Sequence, residues 1–293
     1  MRGRIPLRGW LVVNGFLCTG KFTELTEMFV AAAERKGICL EVRSNTEIYT
    51  GIFELDPAVS RPDFVLFWDK DVILARYLEL SGITVYNSSR SIEVCDDKRK
   101  TYLALLEAGI PVPRTISGPM TYENVGFPAL DFLESLEDGL GYPLIAKEAF
   151  GSFGEQVYMA ENREDLERIL KAIERKPFLL QQYISASRGQ DLRLQVVGDQ
   201  VVAAMRRYSD NDFRANITNG GHMEGYEPEE TACLLAVQAC QAAGCDFAGV
   251  DLLFQEDGFL VCEVNSNAHF KNLYDCTGID TADYIMEYIS SRC

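Results

Sequence analysis

Asp251, Glu263 and Asn265 are the residues whose types and spacing most suggest chemistry. They lie in GVDLLFQEDGFLVCEVNSN, Gly249–Asn267. There, two apolar, extended-looking runs, Val250–Gln255 and Phe259–Asn265, flank a Glu256-Asp257-Gly258 turn. A three-residue loop sets Asp251 opposite Glu263. Asn265 then falls further along the same face, because strand side chains alternate. A two-residue loop would put the two carboxylates on opposite faces. Hard oxygens from two carboxylates and an amide suit Mg²⁺, which takes few protein ligands and completes its shell with water and phosphate. The plain alternative is a solvated hairpin with a polar wet face, and the rest of the chain decides against it. Both carboxylates are read as pocket-face rather than core residues. Converting either to its amide is therefore expected to silence the site and leave the fold intact.

Other constellations are weak one by one. Gly151-Ser152-Phe153-Gly154 follows Lys147 at the end of a strand-like run. Glycines let backbone amides approach phosphate oxygens, and a lysine adds a point charge. Such a turn is more often structural, and no GK[ST] opens a helix here. Lys98 begins a helix after Asp96-Asp97. Gln181-Gln182-Tyr183-Ile184 is extended and leads between domains; its backbone could face a flat heterocycle, with Tyr183 or Ile184 on the ring, or it is a plain linker. Arg206, Arg207, Arg214 and Asn216 make MRRYSDNDFRAN oddly basic for this chain. Guanidinium groups clamp carboxylates and phosphates through two bonds at once.

The elements that must position these residues follow from periodicity. Trp10–Phe16 reads as a buried strand, the stripe Phe22, Leu25, Met28, Phe29, Ala32 as a helix, and Ile38–Val42 as a returning strand: a βαβ unit. Asp63–Phe67 and Thr84–Tyr86 add strands around a Val72–Leu80 helix. The Lys98–Ala108 helix ends at Gly109-Ile-Pro-Val-Pro, and residues 117–139 look like a loose surface insertion. Tyr142–Glu148 and Gln156–Met159 read as strands around the glycine turn, followed by an amphipathic Asp165–Lys176 helix. Phe178–Ile184, Asp191–Val197 and Gln200–Arg206 then form an antiparallel series. Thr231–Ala243 is the one clear helix before the hairpin, and Ala282–Ser290 closes the chain. Three units result, 1–92, 93–177 and 178–293. No GxGxxG accompanies the first βαβ unit, which argues against a dinucleotide-binding domain.

Composition narrows the class. The net charge of −16, from 28 basic and 44 acidic residues, repels a phosphate backbone and argues against nucleic-acid partners. Nine cysteines without a CxxC and only two histidines argue against zinc and for free thiols in a reducing cytoplasm. The N-terminal arginines and apolar run read as a first strand rather than a leader. No stretch is long and apolar enough to span a membrane.

Taken in order, Lys98, Lys147, GSFG, QQYI, Asp191, the arginine stretch and the Asp251/Glu263/Asn265 trio resemble the ATP-grasp superfamily. Within it they resemble the RimK-like carboxylate–amine ligases of alpha-L-glutamate ligase type, from Asn87 to the C-terminus. The resemblance implies an α/β, α+β ATP-grasp fold: an N-terminal pre-ATP-grasp domain, then two subdomains that clasp ATP. It implies that Lys98 and Lys147 hold phosphates under a loop of Gly151, Ser152 and Gly154. Gln181, Gln182, Tyr183 and Ile184 would hold adenine, and Asp191 the ribose. Asp251, Glu263 and Asn265 would bind two Mg²⁺ ions, with Mn²⁺ the alternative. Arg207 or Arg214, helped by Asn216, would stabilise the transferring phosphoryl group. The implied partners are an amino acid such as glutamate and a carboxylate-bearing metabolite, peptide or protein C-terminus, and a homo-oligomer is the common state among similar chains. The reading from another class is an ATP-binding regulatory subunit without turnover. Two departures stand out: Gln182 where such chains carry Glu, and Asn267-Ala268-His269-Phe270 where they carry Asn-Pro-Gly.

Overall fold

The computed structural model describes residues 6–17, 19–51, 61–122, 124–151, 154–215 and 220–293. These residues form three sheets. The first is built from β1 (Arg8–Val13), α1 (Gly20–Arg35), β2 (Cys39–Ser44), α2 (Asn45–Gly51), β3 (Phe64–Phe67), α3 (Val72–Leu80) and β4 (Thr84–Tyr86). Its strands run parallel in the order β2-β1-β3-β4. Alternation puts Leu11, Phe64 and Leu66 against α1, and Trp10, Val12, Val65 and Phe67 against α3, so both faces are covered, as parallel sheets require. The apolar run after the N-terminal arginines is thus a central strand. It ends at Val13, short of Phe16, because Asn14 turns its side chain back to accept from the Phe16 N–H.

Two helices, α4 (Ser89–Asp96) and α5 (Lys98–Glu107), lead to the second sheet. Asp97 caps α5 by accepting the Arg99 N–H at 2.9 Å, which fixes Lys98 as the first helical residue. The second sheet comprises β5 (Thr115–Ser117), β6 (Leu144–Glu148), β7 (Val157–Ala160) and β8 (Phe178–Gln182) in the order β5-β8-β6-β7. It is backed by α6 (Leu133–Leu140) and α7 (Arg163–Ile173). Residues 117–139 are therefore more than a loose insertion. Leu133 is fully buried, and Phe127, Leu130 and Phe132 pack beside it on the core under this sheet.

The third sheet contains β9 (Gln190–Val197), β10 (Gln200–Tyr208), β11 (His222–Gly225), β12 (Phe247–Gln255) and β13 (Gly258–Asn265), ordered β11-β10-β9-β12-β13. One face packs on α8 (Glu230–Ala242) through Leu192, Leu194, Val250 and Leu252. The chain closes with α9 (Lys271–Thr277) and α10 (Thr281–Ser290). The expected antiparallel series from Phe178 onward is broken. β8 pairs with β5 and β6, and a 3₁₀ turn at Ser185–Ser187 then redirects the chain into the third sheet.

First and third sheets share one core. Leu11, Phe29 and Phe64 cluster with Phe247, Phe270 and Met286, and Trp68 stacks on Phe247 with centroids 5.8 Å apart. Buried Asn87 fastens the junction: it donates to the Phe247 and Ser266 carbonyls at 2.8 and 2.7 Å, and accepts from the Asp246 N–H. The crevice bounded by all three sheets is thereby held by hydrophobic burial and a satisfied buried amide.

Candidate active site

The metal hairpin reaches the expected register by an unexpected route. Gln255 pairs with Gly258, so the loop is the two residues Glu256 and Asp257. Such a loop in a regular ladder would separate the carboxylates. Instead the register slips between Leu252↔Val261 and Asp251↔Glu263, leaving Cys262 as an extra residue. This β-bulge restores Asp251 opposite Glu263 and Asn265 opposite Gly249. A Cβ on Gly249 would lie 2.4 Å from that of Ala268. Glycine there is what lets the Asn267-Ala268-His269 loop lie against the sheet.

Across the ladder, directly opposed residues share a face. Arg207 opposes Asp191, and Arg193 opposes Asp251. Asp251 accepts both arms of Arg193 at 2.7 Å and a further contact from Arg207 at 3.0 Å. Asp191, expected to meet a ribose, lines the cavity and gives both oxygens to Arg207 at 2.6 and 2.7 Å. Burial pushes the Asp191 carboxyl above its ordinary range. For Asp251 burial acts the same way, but Arg193 and Arg207 outweigh it and hold the carboxyl down at about 2. Asp251 is only 5% exposed, so it is a structural member of this network as well as a pocket residue. Its loss is therefore expected to cost stability as well as turnover. Arg193 was missed because its strand reads simply as amphipathic; its spacing from Asp191 was the available signal.

The second sheet forms the opposite wall. Ile145, Lys147, Val157 and Gln181 line one side of it, while Leu144, Ala146 and Leu180 pack on α7. Lys147 lies 3.5 Å from the Cys262 sulfur, and burial pushes that thiol up. Lys98 donates to the Gly151 carbonyl at 3.0 Å and stands 3.7 Å from Glu263. Arg214 is clamped by Asp212 and donates to the Gly154 carbonyl at 2.7 Å, which ties the arginine stretch to the end of the glycine turn. The Gln181 amide is committed to Thr115 at 2.8 Å, and the Gln182 N–H to the Arg114 carbonyl. Ser152 and Asn216 lie outside the described residues.

One cavity of about 600 Å³ brings these walls together. Among its lining residues are Lys98, Lys147, Gly151, Gly154, Gln181, Gln182, Tyr183, Ile184, Asp191, Arg207, Arg214, Asp251, Glu263 and Asn265. Arg206 points elsewhere, to Glu224 and Gln190. Sequence reasoning missed the first-sheet side of the cavity, which adds Asn14, Lys21, Trp68, Asp69 and Lys70. His269 also lines it; its Nε2 pairs with the Lys21 carbonyl at 3.1 Å, and burial pushes its pKa down.

The donor set fits Mg²⁺. Two carboxylates and an amide are hard ligands, and Asn265 lines the cavity with its Nδ2 buried and without a hydrogen-bond partner among the described residues. Among the described residues no three His, Cys, Asp or Glu side chains could hold a metal by themselves. A magnesium ion here would therefore share its shell with substrate oxygens and water.

Fold and cavity together define an ATP-grasp protein. The model of the RimK-like ATP-grasp domain matches residues 95–289. A probable alpha-L-glutamate ligase from Rhodopirellula baltica is 32% identical over 288 residues, covering 91% of this chain and 68% of that protein. Human N-acetylaspartylglutamate synthase A is 34% identical over 233 residues, 76% of this chain and 58% of the human protein. The crystal structure of a RimK-domain ATP-grasp protein from Sphaerobacter thermophilus superposes with a TM-score of 0.72 at 20% identity, covering 96% of this chain and 98% of that one. The chain belongs to the RimK-like ATP-grasp family, a family of ATP-dependent carboxylate–amine ligases.

Proposed function

We propose that the protein joins a carboxylate to an amine through an acyl phosphate, releasing ADP and phosphate, with glutamate as an amino-acid substrate. The carrying observation is the cavity in which Lys98, Lys147, Arg207, Arg214 and the Asp251/Glu263/Asn265 set converge. Glutamate rests on the names of the relatives; the acceptor is a carboxylate-bearing metabolite or peptide.

A carboxylate cannot condense with an amine directly, because oxide is too poor a leaving group. Attack of the carboxylate on the γ-phosphate of ATP converts that oxygen into phosphate, which leaves when the amine adds. Lys98 and Lys147 hold the phosphates, with the turn ending at Gly154 above them. The backbone from Gln182 to Ile184 faces the adenine. Arg207, oriented by Asp191, and Arg214, oriented by Asp212, offset charge on the transferring group. Asp251, Glu263 and Asn265 would hold Mg²⁺, two ions in this reading, which would supply neutralisation of the phosphate charge. Closure of the glycine turn, tethered through Arg214, excludes water from the acyl phosphate. We place the reaction in the cytoplasm because all eight described cysteines are free; no helix among the described residues is long and apolar enough to cross a membrane.

The test is isotopic. Glutamate-acceptor mixtures containing a carboxylate substrate labelled with heavy oxygen should transfer one label to the released phosphate. Phosphate released without label would overturn the acyl-phosphate route.

A further inference from the structure

The first sheet has a topological switch point. From β1 the chain moves to one side to form β2, then crosses to the other side for β3. Ligands of open parallel sheets bind in the crevice outside the carboxyl ends of the strands at such a point. Asn14 follows β1 there and Asp69 closely follows β3, and both line the cavity.

Asp69 is held with unusual care for a residue 6% exposed. It accepts from the Asn14 amide at 3.2 and 3.3 Å, from the Asn45 amide at 3.3 Å and from the Lys70 N–H at 2.8 Å. Neither amide is free to turn. The Asn14 oxygen accepts from Phe16 N–H, and the Asn45 oxygen from Gly15 and Thr46 N–H, so both must present nitrogen to the carboxylate. All these donors are neutral, and the Lys70 ammonium is itself bonded to Asp96 at 2.7 Å. Three of these four contacts are long, at 3.2 to 3.3 Å, so the neutral donors hold the carboxylate only weakly and a cation can join or displace them. Burial pushes the carboxyl above its ordinary range, which is what a partnering cation would relieve.

We propose that Asp69, oriented by Asn14 and Asn45, recognises the ammonium group of an α-amino-acid substrate at the β1/β3 crevice. This rests on the ligase reading and deepens it. Asp69 makes the site select a substrate bearing a cationic amine over an isosteric dicarboxylate. Its contribution is to binding, and the proton that this ammonium must lose before the amine attacks the acyl phosphate can pass to the Asp69 carboxylate.

The experiment uses the full chain loaded with ADP and Mg²⁺, titrated by calorimetry with L-glutamate and with glutarate, which lacks only the amine. A charge-assisted hydrogen bond of this kind predicts a preference for glutamate of about tenfold to a hundredfold. Asp69→Asn should abolish that preference while ADP binding stays unchanged. Since the amide introduced by that substitution would turn a donor toward two amide nitrogens, the double variant Asn14→Asp/Asp69→Asn is measured beside it. It reverses one donor–acceptor pair and moves the charge across the crevice, so it should recover part of the preference. Equal binding of the two probes, binding of neither, or a folded Asp69→Asn variant that keeps the preference would overturn the proposal. Should Asp69→Asn not fold, the wild-type preference and the double variant decide. Loss of ADP binding by the wild type would instead strike at the ligase reading itself.

Discussion

Asp251→Asn and Glu263→Gln are the same chemical change on opposed residues of one hairpin, and the structure separates their effects. Asp251 is buried with two guanidinium groups on its oxygens, at 2.7 and 3.0 Å. Removing one partner of a buried ion pair costs about 3–5 kcal/mol. The amide keeps one acceptor, Arg207 keeps Asp191, and Arg193 is partly wet, with 16% of its side chain exposed. Those offsets bring the expected loss to about 2–3 kcal/mol, or about 3–5 °C in Tm for a chain of this size. Glu263 is 29% exposed at its side chain, with Lys98 at 3.7 Å. Its amide should cost about 0–1 kcal/mol, hence at most about 2 °C. Both variants should lose ATP turnover, because both remove a metal-binding oxygen. Differential scanning calorimetry with phosphate-release assays reads both quantities. Equal Tm losses, or an Asp251→Asn protein as stable as wild type, would refute the buried-network argument. Turnover surviving in either variant would refute the metal assignment.

Lys147→Ala should weaken ATP binding by about tenfold or more, measured by calorimetry, as expected for loss of a charged phosphate contact; unchanged affinity would move the phosphate site elsewhere. The Asp251 carboxyl is held from 3.8 down to about 2 in the folded protein. Its native state therefore binds fewer protons, so its stabilisation is complete above the ordinary value and lost as pH falls through about 2. The stability gap between wild type and Asp251→Asn, followed by urea unfolding, should accordingly be constant near neutrality and close toward pH ~2. Chelating Mg²⁺ should abolish most of the thermal stabilisation that saturating ATP confers, which at a hundredfold excess over Kd amounts to about 2.7 kcal/mol.

Much of the fold was legible because it follows from periodicity. The βαβ start, the strand pair around GSFG and the apolar hairpin all show the alternation that burial imposes. What escaped was set by longer-range geometry. The bulge at Cys262 has no local signature, since a cysteine in an apolar strand looks like any other core residue. The correct register of Asp251 and Glu263 was inferred from the wrong loop length. α6 was masked by its Gly- and Pro-rich surroundings, and only the burial of Leu133 shows why the segment is ordered. The phosphate and metal candidates could be chosen because lysines, glycines and carboxylates recur in a familiar order. Asp69 and Asn14 could not, because their meaning comes from adjacent parallel strands far apart in sequence.

The most direct test of the central claim is ATP consumption with Mg²⁺ across a panel of glutamate and other amino acids paired with carboxylate-bearing metabolites and peptides, each mixture read by mass spectrometry. The account predicts phosphate release only with a matched pair, with one ADP per product and a product one water lighter than its two substrates. ADP and phosphate formed with no condensed product, or a condensed product formed alongside AMP and pyrophosphate, would contradict it.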